Sequence, residues 1–167
     1  MEPREYLDYL SECAEHDHLP PSNLRPCSLV DVSSVEHEVK KHLPSAYVDF
    51  LCQVGVGEEH GGLGKWFHLD VSHHGNILEI AEEIAEEQRE AKKVVSARHH
   101  KGFLPVYDSC DGAIYGFMPN GNSTHYQPTV FCWDTDSFVL ERVSDTFFDF
   151  LSYLAEVDEE DISHPTF

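Results

Sequence analysis

The first residues that suggest chemistry lie in a glycine-rich stretch, VGVGEEHGGLG, at positions 54–64, which holds five of the ten glycines of the chain. Glycine-rich loops bind the phosphates of nucleotides when a strand precedes them and a helix follows. Here the apolar pattern predicts the reverse order, the last glycine of G-x-G-x-x-G is replaced by His60, and no G-x-x-x-x-G-K-[ST] sequence occurs. Glu58 and Glu59 also place negative charge where a phosphate would bind. We therefore interpret the stretch as a helix end and a loop, and we predict no cofactor.

Histidines and carboxylates are the next candidates, because both bind metal ions. The chain has twelve histidines, including adjacent pairs at 73–74 and 99–100, but no H-E-x-x-H or other i,i+4 histidine pair. Neighbouring histidines on a strand point to opposite faces. His68 with Asp70, or Asp134 with Asp136, could still meet in the fold. We predict no functional metal site.

The cysteines and the paired carboxylates offer little support for catalysis. The five cysteines are scattered without a C-x-x-C pair, which is typical of buried thiols in a reducing compartment. Cys110 lies between Asp108 and Asp111, and their negative charges disfavour the reactive thiolate. The two aspartates could exchange protons with a substrate, but in a chain with 31 acidic residues such proximity arises by chance. We predict that the protein is not an enzyme.

The charge balance gives the clearest indication of a partner. Eleven basic residues stand against 31 acidic ones in 167 residues, a formal net charge of -20. Such a field repels nucleic acids and anionic membranes and attracts basic surfaces, although many acidic proteins are simply soluble. No apolar run reaches 18 residues and no signal peptide is recognisable. We expect a cytoplasmic protein that binds neither nucleic acid nor membrane.

The elements that would position these residues follow from periodicity. Helices are predicted over residues 3–16, over about 34–42 after a Ser33–Glu36 capping box, and from Pro44 to a stop at Gly55. A strongly amphipathic helix with a glutamate-rich face is predicted over 77–95, and a last helix is predicted to begin at a Ser144 cap.

The second half of the chain reads as short strands. FLPVYDS, AIYGFM, PTVFCWD and SFVLERV alternate with turn sequences, which favours antiparallel hairpins. The pattern predicts an α+β domain, an antiparallel sheet flanked by helices. We place an N-terminal helix and proline-rich connector at 1–30, the α+β domain at 31–155 and a flexible acidic tail at 156–167.

Four blocks of the sequence resemble the SUKH superfamily, the Smi/Knr-like fold. They are LPSAYVDFLCQVGVG, LPVYDSCDGAIYGF, PTVFCWDTD and VSDTFFDFLSYL. The family's positions in these blocks are Leu43, Pro44, Tyr47, Phe50, Leu51, Gly55, Gly57, Pro128, Val130, Trp133, Asp136, Ser144, Phe147, Phe150 and Leu151. The chain departs from the family pattern in two places: the first 30 residues lie outside it, and the glycine turn lacks an asparagine.

This resemblance implies a non-catalytic binding protein. Most bacterial members look like immunity proteins that neutralise a cognate toxin, often a nuclease, and a minority look like regulatory scaffolds that recruit protein partners. Combined with the charge, the resemblance favours an immunity protein that binds a basic toxin domain. We expect the contacts in the acidic loops, at Glu58, Glu59, Asp70, Asp108, Asp111, Asp134 and Asp136, with the glutamate face of the 77–95 helix as second choice.

Overall fold

The computed structural model describes residues 1–69, 102–134, 136–137 and 139–163. Asp70 and the helix predicted over 77–95 lie outside these ranges. The helices are α1 (Pro3–His16), α2 (Leu29–Val39), α3 (Ser45–Gln53) and α4 (Phe147–Ser163). The strands are β1 (Gly57–Glu58), β2 (Trp66–Phe67), β3 (Leu104–Asp108), β4 (Ala113–Pro119), β5 (Tyr126–Asp134) and β6 (Val139–Ser144).

The six described strands form one antiparallel sheet in which each strand pairs with its neighbours in the chain, in the order β1-β2-β3-β4-β5-β6. The pairing places Trp66 opposite Asp108 on β3 and Tyr115 opposite Cys132 on β5. This topology confirms the predicted α+β class. A meander of this kind puts alternate connections at the same end of the sheet, which decides where the acidic turns lie.

The main core lies between one face of the sheet and the helices. Phe147 of α4 packs against Tyr47 and Phe50 of α3, and both Phe147 and Phe150 pack against aromatic residues of β2 to β4, with centroid distances of 4.8–6.4 Å. Ring pairs at these distances stabilise a core beyond their buried area. Tyr6 of α1 is fully buried in the same cluster, so the N-terminal helix is part of the core.

Helix α3 ends where the sequence predicts. The amide of Gly55 donates to the carbonyl of Phe50 at 3.0 Å, and Gly55 has a φ of +97°. A Cβ atom at this position would lie 1.7 Å from the carbonyl oxygen of Arg25. Glycine is therefore required twice, for the left-handed backbone and for the close approach of the 20–28 connector.

Helix α2 corrects one prediction. Its cap is Ser28, whose hydroxyl accepts from the amide of Asp31 at 3.1 Å while the Asp31 carboxylate accepts from the Ser28 amide at 2.9 Å. The predicted cap, Ser33, lies exposed inside the helix. The earlier start puts Val32 and Val35 on one buried face, three residues apart, and this burial decides between two similar capping sequences.

The last helix also differs from its prediction at both ends. Ser144 closes β6, and the cap is Thr146, whose hydroxyl accepts from the amide of Asp149 at 3.2 Å. At its other end α4 continues to Ser163, through residues for which the sequence predicts a flexible tail. No glycine or proline interrupts 147–163, and the first helix breaker after them is Pro165.

Candidate functional site

Three connections meet at one end of the sheet, which we call the turn end. They join β1 to β2 (residues 59–65), β3 to β4 (109–112) and β5 to β6, where Asp136 and Ser137 are described. The β4–β5 connection lies at the opposite end. Strand register brings the second and third connections together, because Ala113 at the start of β4 pairs with Asp134 at the end of β5.

The turn between β3 and β4 holds its two aspartates in fixed positions. Asp108 Oδ1 accepts from the Cys110 amide at 2.8 Å, and Asp111 Oδ1 accepts from the Ala113 amide at 3.2 Å and from the Ser109 hydroxyl. Cys110 itself has a φ of +64°. These bonds are the ordinary chemistry of an aspartate in a turn, so the carboxylates have a structural role as well as a charge.

The connection between β5 and β6 repeats this arrangement. Asp134 Oδ1 accepts from the backbone amides of Asp136 at 2.8 Å and Ser137 at 3.0 Å. These hydrogen bonds, the one from Ser137 first, lower the pKa of Asp134 below its ordinary value. Asp134 and Asp136 are both exposed. The lowered pKa of Asp134 favours its charged form, and its side chain faces solvent.

The thiol of Cys132 interacts electrostatically with three carboxylates near this end of the sheet. Burial raises its pKa to about 11, and the charges of Asp134, Asp111 and Glu141 add to the increase. Glu141 lies on β6 directly opposite Cys132. The sequence pattern of β6 gave no reason to predict Glu141 as a site residue. Its position near the other carboxylates follows from the pairing of β5 with β6. We call Asp108, Asp111, Asp134, Asp136 and Glu141 the acidic edge.

The prediction that Glu58 and Glu59 lie on an exposed acidic loop is wrong. Glu58 is buried, and its Oε2 accepts from the amides of Gly62 at 2.6 Å and Gly64 at 3.3 Å. Glu59 is fully buried and accepts from the hydroxyl of Tyr6. Hydrogen bonds from backbone amides replace part of the hydration that a carboxylate loses when it is buried. Both side chains therefore stabilise the loop from inside and add no charge to its surface.

Within the part of the chain that the structure describes, no carboxylate of the acidic edge makes an ion pair with a lysine or arginine. The described part of the chain also contains no group of three histidine, cysteine or acidic side chains arranged to hold a metal ion. No helix in that part is both long enough and apolar enough to cross a bilayer. Four of the five carboxylates are exposed and Asp108 is half-buried. Turn hydrogen bonds hold Asp108, Asp111 and Asp134 in place, and the arrangement is suited to contact with a cationic surface.

The architecture defines the class of protein: an α+β domain in which helices cover one face of an antiparallel meander. A model of the SMI1 / KNR4 family (SUKH-1) matches residues 26–153, and the chain belongs to this family. SUKH domains occur in toxin immunity proteins, and the family is generally non-catalytic. A search of curated proteins found no match. The match begins after α1, although Tyr6 and Leu10 of that helix are buried in the core.

Proposed function

We propose that this protein is an immunity protein that binds and neutralises a cognate bacterial toxin domain, and that the acidic edge contacts a basic, nuclease-type surface of the toxin. The placement of five carboxylates at one end of the sheet is the observation that carries this proposal: Asp108 and Asp134 end β3 and β5, Asp111 and Asp136 lie in the connections that follow, and Glu141 lies on β6. Nuclease domains bear cationic clefts for phosphates, and a preformed array of carboxylates can occupy such a cleft.

Two kinds of interaction would contribute to the complex. Exposed carboxylates accelerate encounter with a cationic partner and select against other partners, and they contribute less to the lifetime of the complex. Asp108, Asp111 and Asp134 accept hydrogen bonds from amides of their own turns, which hold these carboxylates in place before binding. Less conformational entropy is therefore lost on association. The protein acts by occupying the toxin and transforms no substrate.

The test begins with the genes that flank the gene for this chain and uses any basic toxin domain that they encode; the absence of such a domain would count against the immunity role. Co-expression should restore growth, and the two proteins should co-purify. Association is then measured for a variant in which the acidic edge is neutralised isosterically, so that the turn hydrogen bonds to Oδ1 remain. Its substitutions are Asp108→Asn, Asp111→Asn, Asp134→Asn, Asp136→Asn and Glu141→Gln. We expect the association rate constant at low salt to fall by about tenfold or more.

A matched control carries the same net charge change on the helices. Its substitutions are Asp8→Asn, Glu12→Gln, Glu15→Gln, Glu38→Gln and Asp49→Asn, all at exposed positions. At about 0.1 M salt, where the Debye length is about 10 Å, we expect its association rate constant to stay within about threefold of the wild-type value while that of the acidic-edge variant still falls, because only charges close to the contact act on the partner over that distance. Equal losses in both variants would assign the effect to net charge and rule out the acidic edge as the contact. Failure of the wild-type protein to bind or protect would overturn the immunity role and favour a regulatory scaffold.

A further inference from the structure

We infer that Leu63 is the apolar anchor of the partner-binding surface, held out by the β1–β2 loop beside the acidic edge. This inference rests on the proposed function, because it names the residue that would give that complex its lifetime. The side chain of Leu63 is 49% exposed in a loop that is otherwise made of glycine and polar residues. A side chain that a partner fully buries near the centre of an interface slows dissociation of the complex, the contacts around it exclude water, and nearby charges direct the encounter.

The loop that carries Leu63 is fixed from inside by Glu58. The two hydrogen bonds from Gly62 and Gly64 to the Glu58 carboxylate flank Leu63 on both sides. The Leu63 amide donates to the His60 carbonyl at 3.2 Å, and the loop closes with the Glu59 amide on the Lys65 carbonyl at 3.1 Å. A leucine held in one place before binding loses less conformational entropy when a partner covers it.

The same loop is also tied to the connector that precedes α2. The Gly61 amide donates to the Pro21 carbonyl at 3.1 Å, and the His60 ring contacts the Pro20 carbonyl at 2.9 Å through Nδ1. His60 is itself buried. The loop that carries the exposed leucine is therefore held by polar contacts on either side of it.

Leu63 lies next to the acidic edge. A Cβ atom added to Gly64 would come within 2.7 Å of the Cys110 sulfur, so the loop packs directly on the turn between Asp108 and Asp111. At the far end of the surface, Val139 is 43% exposed and pairs with Asp134. From β2 to β6 there are four strand spacings, or about 20 Å, a width comparable to that of a standard interface with about 800 Å² on each partner.

The occupant that fits this surface is a basic protein domain with an apolar depression bordered by lysine or arginine side chains. Carboxylates border the leucine in this chain, and the complement of that pattern is an apolar pocket with a cationic rim. A second copy of the chain is disfavoured as the occupant, since each copy has a net charge of -20 and would present carboxylates to carboxylates.

The experiment measures binding of the toxin domain encoded beside the gene to the full chain with Leu63→Ala. We expect the dissociation rate constant to rise about tenfold or more, with the association rate constant and its salt dependence unchanged, because an uncharged anchor acts after encounter. The control is Leu29→Ala, a leucine that is 67% exposed on α2 and outside the turn end. It should leave both rate constants unchanged. Since Leu63 is exposed, its variant should unfold at the wild-type temperature.

A second pair of variants tests the support of the loop. Glu58→Ala removes both flanking hydrogen bonds and leaves Leu63 intact, and it should raise the dissociation rate constant; Glu58→Gln keeps an acceptor and should lose less. Normal dissociation of Leu63→Ala, when wild-type protein binds and protects, would overturn this inference and leave the proposed function standing. If the wild-type protein does not bind the toxin, both the function and the anchor are wrong.

Discussion

At the scale of single residues, the same chemical group has different roles according to its surroundings. The Glu58 carboxylate is buried and accepts hydrogen bonds from two loop amides. The Asp134 carboxylate also accepts hydrogen bonds from two amides, but it remains exposed. The first stabilises a loop, and the second both stabilises a turn and presents charge. Counting acidic residues in a sequence cannot separate these roles, because the difference lies in which amides surround each carboxylate and how much water reaches it.

Two cysteines at this end of the sheet should differ in reactivity. Cys110 is exposed, while burial raises the pKa of Cys132 to about 11. The thiolate is the reactive form, so at pH 8 we expect iodoacetamide to label Cys110 well before Cys132, as measured by mass spectrometry of the two peptides. In denaturant the two rates should converge. Equal labelling of both in the folded protein would contradict the burial of Cys132.

The raised pKa of Cys132 also has a consequence for stability. The folded state favours the neutral thiol, so this contribution to the free energy of unfolding is complete below the ordinary pKa of 9.0 and is lost as the pH rises toward about 11. Burial raises the pKa of Tyr126 as well, to about 12. Both groups therefore favour the folded state at neutral pH over strongly alkaline pH.

At the scale of elements, local signals place each helix and burial selects its exact start. Two capping sequences, Ser28-x-x-Asp31 and Ser33-x-x-Glu36, overlap in α2. With the helix starting at Leu29, Val32 and Val35 are both buried. Glu36 is then available for another contact, and it accepts from the Leu43 amide at 2.8 Å, which fixes the connection from α2 to α3.

This choice of cap can be measured. Ser28→Ala should lower the free energy of unfolding by about 1 kcal/mol, the usual cost of losing a helix cap, whereas Ser33→Ala should stay within about 0.5 kcal/mol. The two are compared by urea denaturation. The Ser28 amide first and its hydroxyl second lower the pKa of Asp31. Ser28→Ala keeps the amide and removes the hydroxyl, so an NMR titration should show that pKa shifted part of the way back upward. A larger loss for Ser33→Ala would place the helix start where the sequence predicts it.

At the scale of the whole molecule, the residues that the structure describes place different charges at the two ends of the sheet. The acidic edge lies at the turn end. At the opposite end the Lys41 ammonium donates to the Ser123 carbonyl of the β4–β5 connection at 2.7 Å, and Lys40 precedes it in the chain. Such a distribution can orient the molecule as it approaches a cationic partner.

Net charge should make the stability depend on salt. Mutual repulsion of like charges destabilises the compact state, and raising the salt from about 0.01 M to 0.1 M shortens the Debye length from about 30 Å to 10 Å. We expect the thermal midpoint to rise by roughly 2–5 °C over this range, as measured by differential scanning fluorimetry. The variant with the acidic edge neutralised should show a smaller rise. A midpoint that falls with salt would mean that attractive ion pairs outweigh repulsion.

The sequence by itself determined the fold class, the α1 and α3 helices, the hairpins and the stop at Gly55, because these depend on neighbours within a few residues of one another. It also determined the net charge and the resemblance to the SUKH family. The tertiary structure decided which carboxylates share a surface. The meander and its register bring Asp108, Asp111, Asp134 and Asp136 to one end, add Glu141, and turn Glu58 and Glu59 inward. Those placements depend on contacts between distant parts of the chain, which no local pattern encodes.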